Sequence, residues 1–239
     1  MKERVRSHYA FHSPKIPHSL RFAVAPDLHS APFEDVLEDF SQCDAVLIPG
    51  DLIDRHRRNN ANAYRFLRDV PEIVPVFFSL GNHETKYRRQ DDFLTALKNS
   101  GVTLLDNEWT SFRGILIGGL SCAKHEPDVS FVQHFEKQSG FRLLLCHQPE
   151  VWRSYIRGRD IDLTLCGHAH GGQIQIGGRG LYAPGQGLFP KMTNGLYGGG
   201  AMLLSRGMTN GAKPRIPRIN NPCELVIIDL EKDEGGTAP

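Results

Sequence analysis

The sequence predicts a single layered α/β domain, and three observations support that fold class. Short apolar runs of strand length alternate with segments in which apolar residues recur at helical spacing. This alternation fills the first half of the chain, and strand-like runs dominate the second half. No internal repeat and no linker divides the 239 residues. A βαβαβ order followed by mixed β structure is typical of helices packed against a sheet.

In the first half, strands and helices are predicted in turn. The strand-like runs are residues 21–25, 45–48 and 74–79, of which the last is weakened by Pro75. Between the first two, Phe33, Val36 and Phe40 lie on one face of a predicted helix, together with Leu37. Further helices are predicted over residues 64–70 and 91–100. Gly101 follows the second of these, where a helix-ending glycine is expected.

The second half is predicted to be richer in strands. Apolar runs of strand length cover residues 115–120, 141–145, 161–165, 201–204 and 224–230. A helix is predicted over residues 129–138, and the alternating residues 173–176 suit a half-exposed strand. Residues 177–200 are rich in glycine, with Tyr182, Phe189 and Tyr197 among them. Either they form an apolar wall for an acyl group together with Leu181 and Leu188, or the segment buries its own aromatic residues.

Composition and charge set limits on the class of protein. Hydrophobic residues make up 40% of the chain, which is enough for a sizeable core, and the formal net charge is +1. That balance argues against nucleic acid as an obligatory partner, although residues 55–58 form a local basic cluster. The five cysteines form no CxxC pair. Cys146 and Cys166 end apolar runs that are predicted to be buried strands, so we interpret these two as reduced core thiols.

The ends of the chain are predicted to lie outside the domain. Residues 1–20 are polar and lack an apolar signal region, so we expect an N-terminal extension there. The domain then covers residues 21–232, and residues 233–239 form a tail. No apolar run is long enough to span a bilayer, which predicts a soluble protein, cytoplasmic by default.

Polar motifs follow five of the predicted strands directly. In chain order, the motifs carry Asp27 and His29, then Asp51 and Asp54, then Asn82 and His83, then His147, and last His168 and His170. In layered α/β folds, ligands bind at the carboxyl ends of the strands. The five strands are therefore predicted to bring these side chains to one edge.

Carboxylate, imidazole and amide groups without thiolates suit hard-to-borderline divalent metals. Asp27 and His29 are two residues apart, so both can point the same way from an extended segment. Each motif alone also has an ordinary structural explanation: a surface loop, a turn with a helix cap, or a core histidine. Five such motifs in one order, each after a strand, favour a metal site.

In that order, the motifs DLH, GDLID, GNHE, CHQP and GHAHGG resemble those of the calcineurin-like metallophosphoesterases, from about Phe22 to Leu230. The segments GLYAPGQGLFP, LLSRGM and PRINNPCEL look like one bacterial branch. That branch includes membrane-associated phosphoesterases and relatives of UDP-diacylglucosamine pyrophosphohydrolase. Pro26 departs from the small polar residue usual before the first aspartate. The resemblance implies a four-layer α-β-β-α sandwich of two mixed sheets flanked by helices.

The resemblance also implies roles for individual residues around two divalent ions, for which Mn, Fe and Zn all fit the ligands. The first ion would be held by Asp27, His29 and His170. The second would be held by Asn82, His147 and His168. Asp51 would bridge both ions, and a hydroxide between them would attack the phosphorus. His83 would act as general acid, and Asp54 would orient it.

These roles predict a phosphoesterase that acts on phosphate mono- or diesters. A lipid- or nucleotide-sugar-directed pyrophosphohydrolase is the first alternative, and with it an acyl or nucleotide group on the substrate and peripheral membrane association stay open. A nuclease and a metal-free scaffold are the remaining alternatives. The basic cluster places Arg55, Arg57 and Arg58 as candidate contacts of the substrate phosphate, although a solvated turn explains it equally well.

Overall fold

The computed structural model describes residues 4–122, 126–211 and 216–233 and is built around two six-stranded mixed sheets. In chain order the strands are β1 (Val5–Ser13), β2 (Leu20–Val24), β3 (Ala45–Pro49), β4 (Val76–Ser79), β5 (Thr103–Leu104), β6 (Glu108–Phe112), β7 (Ile115–Leu120), β8 (Arg142–Cys146), β9 (Leu163–Cys166), β10 (Gln175–Ile176), β11 (Arg179–Gly180), β12 (Tyr182–Ala183), β13 (Gly187–Leu188), β14 (Gly195–Tyr197), β15 (Met202–Leu204) and β16 (Glu224–Lys232).

The strand order of the first sheet is β1-β16-β2-β3-β4-β5. Strands β2 to β5 run parallel, and β16 is antiparallel to β2. The strand order of the second sheet is β14-β15-β9-β8-β7-β6, with β15, β9, β8 and β7 parallel. The carboxyl ends of the parallel strands carry the predicted site residues in both sheets.

Side chains from successive positions of a strand go to different cores, because they point to opposite faces of the sheet. Phe22 and Leu47 pack between the sheets against Leu143, whereas Ala23 and Val46 pack under the helices of the first sheet. A third core lies under the helices of the second sheet, around Phe131, Phe135 and Trp152. Helices therefore flank two stacked sheets, and the predicted four-layer fold class is confirmed.

The helices are short and cover the outer faces of the sheets. They are α1 (Leu37–Ser41), α2 (Ala61–Asp69), α3 (Asn82–Thr85), α4 (Gln90–Lys98), α5 (Val129–Phe135) and α6 (Pro149–Val151). A 3-10 turn at Glu34–Val36 precedes α1, and a π turn at Trp152–Ile156 continues α6. Two further 3-10 turns are formed by His170–Gly172 and Gly198–Gly200. Among the described residues, none of the helices has the length and apolar character to cross a membrane.

Several elements differ from their predictions. Helix α5 ends at Phe135 instead of at residue 138, and the strand predicted over residues 173–176 is reduced to β10. Strand β1 was not predicted at all. It lies within the predicted extension and pairs in parallel with β16 at the edge of the first sheet. The division into residues 1–20, 21–232 and 233–239 stays a prediction, and residues 1–3 and 234–239 lie outside the described part.

Candidate metal centre

Five loops bring the predicted ligands together, each leaving the carboxyl end of a parallel strand. Asp27 follows β2, Asp51 follows β3 and Asn82 follows β4, all in the first sheet. From the second sheet, His147 follows β8 directly and His168 follows β9. All seven predicted ligands are buried. The site therefore lies where the carboxyl edges of the two sheets meet.

Most of these ligands occupy the left-handed region of backbone conformation. The positive φ angles are 58° for Asp27, 47° for His29, 62° for Asp51, 71° for His168 and 48° for His170. Residues other than glycine rarely adopt this region, and when they do, the surrounding structure has to hold them there. Here backbone bonds link the ligand loops to each other, for example from the N–H of His29 to the carbonyl of Asp51 at 3.0 Å.

The first group of candidate ligands consists of Asp27, His29 and His170, whose ligand atoms lie within 4.8 Å of one another. His29 Nε2 is 3.7 Å from Asp27 Oδ1, and His170 Nε2 is 3.9 Å from the same oxygen. His170 Nδ1 lies 3.1 Å from the carbonyl of Thr209. A carbonyl only accepts, so Nδ1 carries the proton and Nε2 keeps a lone pair directed at the site.

The second group consists of Asp51, His147 and His168, with Asn82 beside it. His147 Nδ1 donates to the carbonyl of Pro49 at 2.8 Å. Its Nε2 then faces Asp51 Oδ2 at 3.2 Å and Asn82 Oδ1 at 3.1 Å. Asp51 Oδ2 also lies 3.8 Å from His29 Nε2 in the first group. The Asp51 carboxylate therefore stands between the two groups.

Electrostatics at the site favour a bound cation. Burial raises the pKa of Asp27 to about 6 and lowers the pKa of both His29 and His168 to about 3. For His147, burial alone would lower the pKa, but the Asp51 carboxylate outweighs it and raises the pKa to about 10. In the metal-free chain a proton on His147 thus neutralises the carboxylate, at an atom where a metal ion could do so instead.

Unpartnered polar atoms support the same conclusion. Asp27 Oδ1 and both ring nitrogens of His29 are buried without a hydrogen-bond partner among the described residues. Leaving such an atom unsatisfied costs about 1–3 kcal/mol, so buried polar atoms of this kind need a ligand or an ion. Oxygen and imidazole nitrogen donors match Mn, Fe and Zn. The residues present therefore fit divalent metal ions.

The predicted general acid, His83, lies at the wall of the site on α3. Its Nε2 is 3.9 Å from Asp51 Oδ2, and its Nδ1 is 3.4 Å from Asp54 Oδ1. The backbone N–H of Arg55 also donates to Nδ1, at 3.1 Å. Burial would lower the pKa of His83, but the charges of Asp51 and Asp54 together raise it.

Glu84 anchors the site, a role that sequence reasoning missed. Its buried carboxylate accepts backbone N–H groups from Asp51 and Gly81 on Oε2, at 2.9 and 2.8 Å. Oε1 accepts the N–H of Ile53 at 3.0 Å. Burial followed by the charge of Asp51 raises the pKa of Glu84 to about 7. Glu84 thus joins the loops after β3 and β4. The only sequence signal for it is the last residue of GNHE.

The three arginines of the basic cluster are placed differently. Arg55 lines a cavity of about 380 Å³ above the ligands, beside Lys86. Arg57 Nε lies 3.5 Å from Asp54 Oδ2, so Arg57 forms an ion pair with the carboxylate that is predicted to orient His83. Arg58 is exposed and does not line this cavity. Lys86 was not singled out from the sequence.

Different parts of the glycine-rich segment lie at the cavity and in the core. Tyr182 and Gly185 line the same cavity as Arg55. Tyr197 packs against the core of the second sheet, and its hydroxyl accepts the N–H of Thr193 at 2.9 Å. Phe189 is 76% exposed. Part of the segment therefore lines the cavity and part packs against the core, and a contact with substrate stays a prediction.

Comparison with known proteins decides the family. A model of the calcineurin-like phosphoesterase domain matches residues 20–172, which include all seven predicted ligands. The chain belongs to the calcineurin-like phosphoesterase family. Metallophosphoesterases use divalent metals, and the described residues offer three candidate ligand groups for them. Two are the groups described above, and the third, which overlaps both, consists of His29, Asp51 and His83.

Relatives of this calcineurin-like phosphoesterase are bacterial and animal proteins. An uncharacterized metallophosphoesterase of Helicobacter pylori (strain ATCC 700392 / 26695) is 29% identical over 67% of this chain and 47% of its own length. Phosphodiesterase YaeI of Escherichia coli (strain K12) is 29% identical over 56% of this chain and 51% of its own. An uncharacterized metallophosphoesterase of Aquifex aeolicus (strain VF5) is 25% identical over 93% of this chain and 90% of its own. The chain thus spans about half the length of the first two.

Proposed function

We propose that the chain is a phosphoesterase that hydrolyses phosphate mono- or diesters with two divalent metal ions. One observation carries the proposal: two buried groups of candidate metal ligands lie side by side, with Asp51 Oδ2 3.2 Å from His147 Nε2 in one group and 3.8 Å from His29 Nε2 in the other. Asp27, His29 and His170 would hold one ion. Asn82, His147 and His168 would hold the other, and Asp51 would contact both. When bound, such ions supply positive charge for phosphate oxygens and make a bound water acidic.

The proton chemistry is assigned to His83. Its Nδ1 accepts the backbone N–H of Arg55, so the neutral ring carries its proton on Nε2. Nε2 is the nitrogen that faces Asp51 and the cavity. It can therefore donate to the leaving oxygen of a substrate. Asp54, 3.4 Å from Nδ1, stabilises the charged form and restrains the ring.

Substrate charge would be met at the rim of the cavity. Arg55 and Lys86 line it, and a phosphate ester held between them would have its charge offset before reaction. Arginine can bond two phosphate oxygens at once, whereas lysine acts as a point charge. These two residues are assigned to binding and not to proton transfer.

A second candidate function is a pyrophosphohydrolase for substrates that carry an acyl or nucleotide group. The observation that favours it is the exposure of Leu188 and Phe189, at 73% and 76%. Both lie at the end of the ribbon β12–β13, whose other strand begins with Tyr182 in the cavity wall. Such an apolar edge could contact an acyl chain or a base beside the cavity.

The experiment is metal analysis combined with a substrate panel. The purified chain is assayed with added Mn on phosphate mono- and diesters, nucleotide sugars and phospholipids. Asp51→Asn removes the shared charge, and asparagine tolerates the left-handed backbone at this position. We expect the parent chain to bind two ions and to hydrolyse members of the panel, and the variant to lose activity and metal at both groups.

The matched control is Asp44→Asn. Asp44 precedes β3 at its amino end, where it pairs with Arg113, and Asp51 follows the carboxyl end of the same strand. The control variant should keep both ions and the parent rate. A parent chain that hydrolyses nothing on the panel with metal would overturn the proposal, as would an Asp51→Asn variant with two ions and a normal rate. Preference for acylated or nucleotide-linked substrates would select the second candidate function.

A further inference from the structure

A partly buried arginine, Arg218, lies behind the first group of ligands and fastens the loop of residues 205–210 that follows β15. Its Nη2 donates to the carbonyl of Arg206 at 2.6 Å and to that of Thr209 at 2.9 Å. Its Nε donates to Asn210 Oδ1 at 2.6 Å. One guanidinium group thus donates to three residues of the loop.

The same loop supports the backbone of Asp27. Met208 donates its N–H to the carbonyl of Pro26 at 2.9 Å, and Thr209 donates to the carbonyl of Asp27 at 3.1 Å. Gly207 packs so closely that a Cβ atom there would lie 2.8 Å from Asp27 Cβ. Displacement of the loop would therefore move Asp27 as well.

Arg218 also lies against the ring of His170. Its Nη2 lies 3.2 Å from His170 Nδ1. Nη2 has two hydrogens, and the carbonyls of Arg206 and Thr209 take both. The ring donates its own Nδ1 proton to the same Thr209 carbonyl, 3.1 Å away, so Arg218 and His170 share that acceptor. The Nε2 lone pair then faces Asp27.

We propose that Arg218 is a positioning residue for one metal ion only, the ion held by Asp27, His29 and His170. It fixes the Thr209 carbonyl that accepts the Nδ1 proton of His170, and it holds the loop on which Asp27 rests. The inference rests on the metal centre of the proposed function. Outer contacts of this kind change metal affinity by about 10-fold to 100-fold.

The experiment measures affinity and not activity. Metal-free protein is titrated with Mn in competition with a chelator, for the parent chain and for Arg218→Gln and Arg218→Lys. We expect Arg218→Gln to weaken one of two equivalents by about 10-fold to 100-fold and to leave the other near the parent value. Arg218→Lys keeps a positive charge but not the fork of donors, so its loss should be smaller.

The control is Arg142→Gln. Arg142 is only 4% exposed, donates to the carbonyl of Glu136 and pairs with Asp162. It begins β8, whose opposite end leads to His147. Its loss should lower stability and leave both metal affinities unchanged. If Arg218→Gln does not fold, Asn210→Ala removes the acceptor that aims the guanidinium and should weaken the same equivalent by less.

The outcomes separate the two proposals. Parent-like affinity for both equivalents in every variant of Arg218 and Asn210 overturns the positioning role. Equal weakening of both equivalents also overturns it, because a general loosening of the fold would explain that result. A parent chain that binds no metal contradicts the proposed function instead.

Discussion

The sheet edge that carries the candidate metal centre (the site edge) and the glycine-rich segment both contain residues in the left-handed backbone conformation, but the residue types differ. At the site edge it is adopted by aspartates and histidines, five of the seven predicted ligands. In residues 177–200 it is adopted by eight glycines, and Phe189 is the exception. Glycine occupies this region freely, whereas other residues lose about 1–2 kcal/mol there.

This difference in residue type shows where the fold tolerates backbone strain. A glycine has no ligand atom, so the site edge keeps strained residues whose side chains are needed and holds them by burial and backbone bonds. The glycine-rich segment needs only its turns. We therefore expect substitutions at the site edge to affect chemistry, and substitutions in the segment to affect stability or binding.

The largest expected effect contrasts His83→Ala with Phe189→Ala. Removing His83 should lower kcat by about 10²-fold to 10⁴-fold, the contribution of a general acid, while two ions stay bound. Removing Phe189 should leave kcat on a small soluble phosphodiester unchanged. Steady-state kinetics and metal analysis of both variants check the contrast.

Loss of one metal equivalent in His83→Ala would show that His83 is a ligand and not a proton donor. Asp54→Asn should repeat the effect in weaker form, because Asp54 is placed to orient the His83 ring and not to transfer the proton itself. A rate for Asp54→Asn below that of His83→Ala would contradict that order.

An effect of intermediate size is expected on the free energy of unfolding when two glycines are compared. Their φ angles are similar, +62° at Gly171 and +70° at Gly199. A Cβ on Gly171 would lie 2.1 Å from Asn221 Oδ1, and Asn221 donates to the carbonyl of His170 at 2.8 Å. A Cβ on Gly199 would meet nothing within 4 Å. Gly199→Ala should therefore cost only about 1–2 kcal/mol of backbone strain. Gly171→Ala should cost about 1–3 kcal/mol more, for the lost buried hydrogen bond.

Chemical denaturation of the metal-free variants measures both free energies of unfolding. Metal titration then asks whether only Gly171→Ala weakens binding, since it alone adjoins a ligand. Equal losses of stability at the two positions would mean that strain, and not contact with the site, sets the cost.

The smallest expected effect lies at the rim. Arg55→Ala should raise KM by about twofold to fivefold, the size of an exposed ion pair worth ~0.5–1 kcal/mol, with kcat unchanged. Arg58→Ala should have no effect, because Arg58 does not line the cavity. Added salt should reduce the difference. Equal KM values for both variants at low salt would favour the alternative explanation, in which the basic cluster is only a solvated turn.

Much of the fold was predictable because both faces of the central strands are buried. Strands such as β3 and β8 are apolar at nearly every position, so they stand out as runs. Strand β1 alternates exposed and half-buried residues at a sheet edge, and its partner β16 lies at the other end of the chain. Neither fact is visible in local sequence. The strand predicted from residue 173 begins later, because Gln173 has a φ of 58° and ends a turn.

The candidate site was predictable to the extent that its residues lie in motifs next to strands. Motifs show which side chains leave a strand end, but not what each of them touches. The bonds from Glu84 to two loops and from Arg218 to a third depend on how the chain folds back on itself. The same limit applies to the basic cluster, in which three similar arginines have three different surroundings.

Because the candidate metal centre joins the two sheets, the stability of the folded chain should depend on the supply of metal in the cell. Four of the predicted ligands come from the first sheet and three from the second: Asp27, His29, Asp51 and Asn82, then His147, His168 and His170. Ions held there would join the two halves of the core and would favour the folded chain by mass action. At a free ion concentration about 100 times the Kd, the gain is about 2.7 kcal/mol per site. Metal starvation would then reduce not only turnover but also the lifetime of the chain against proteases, so that its abundance would follow the metal supply.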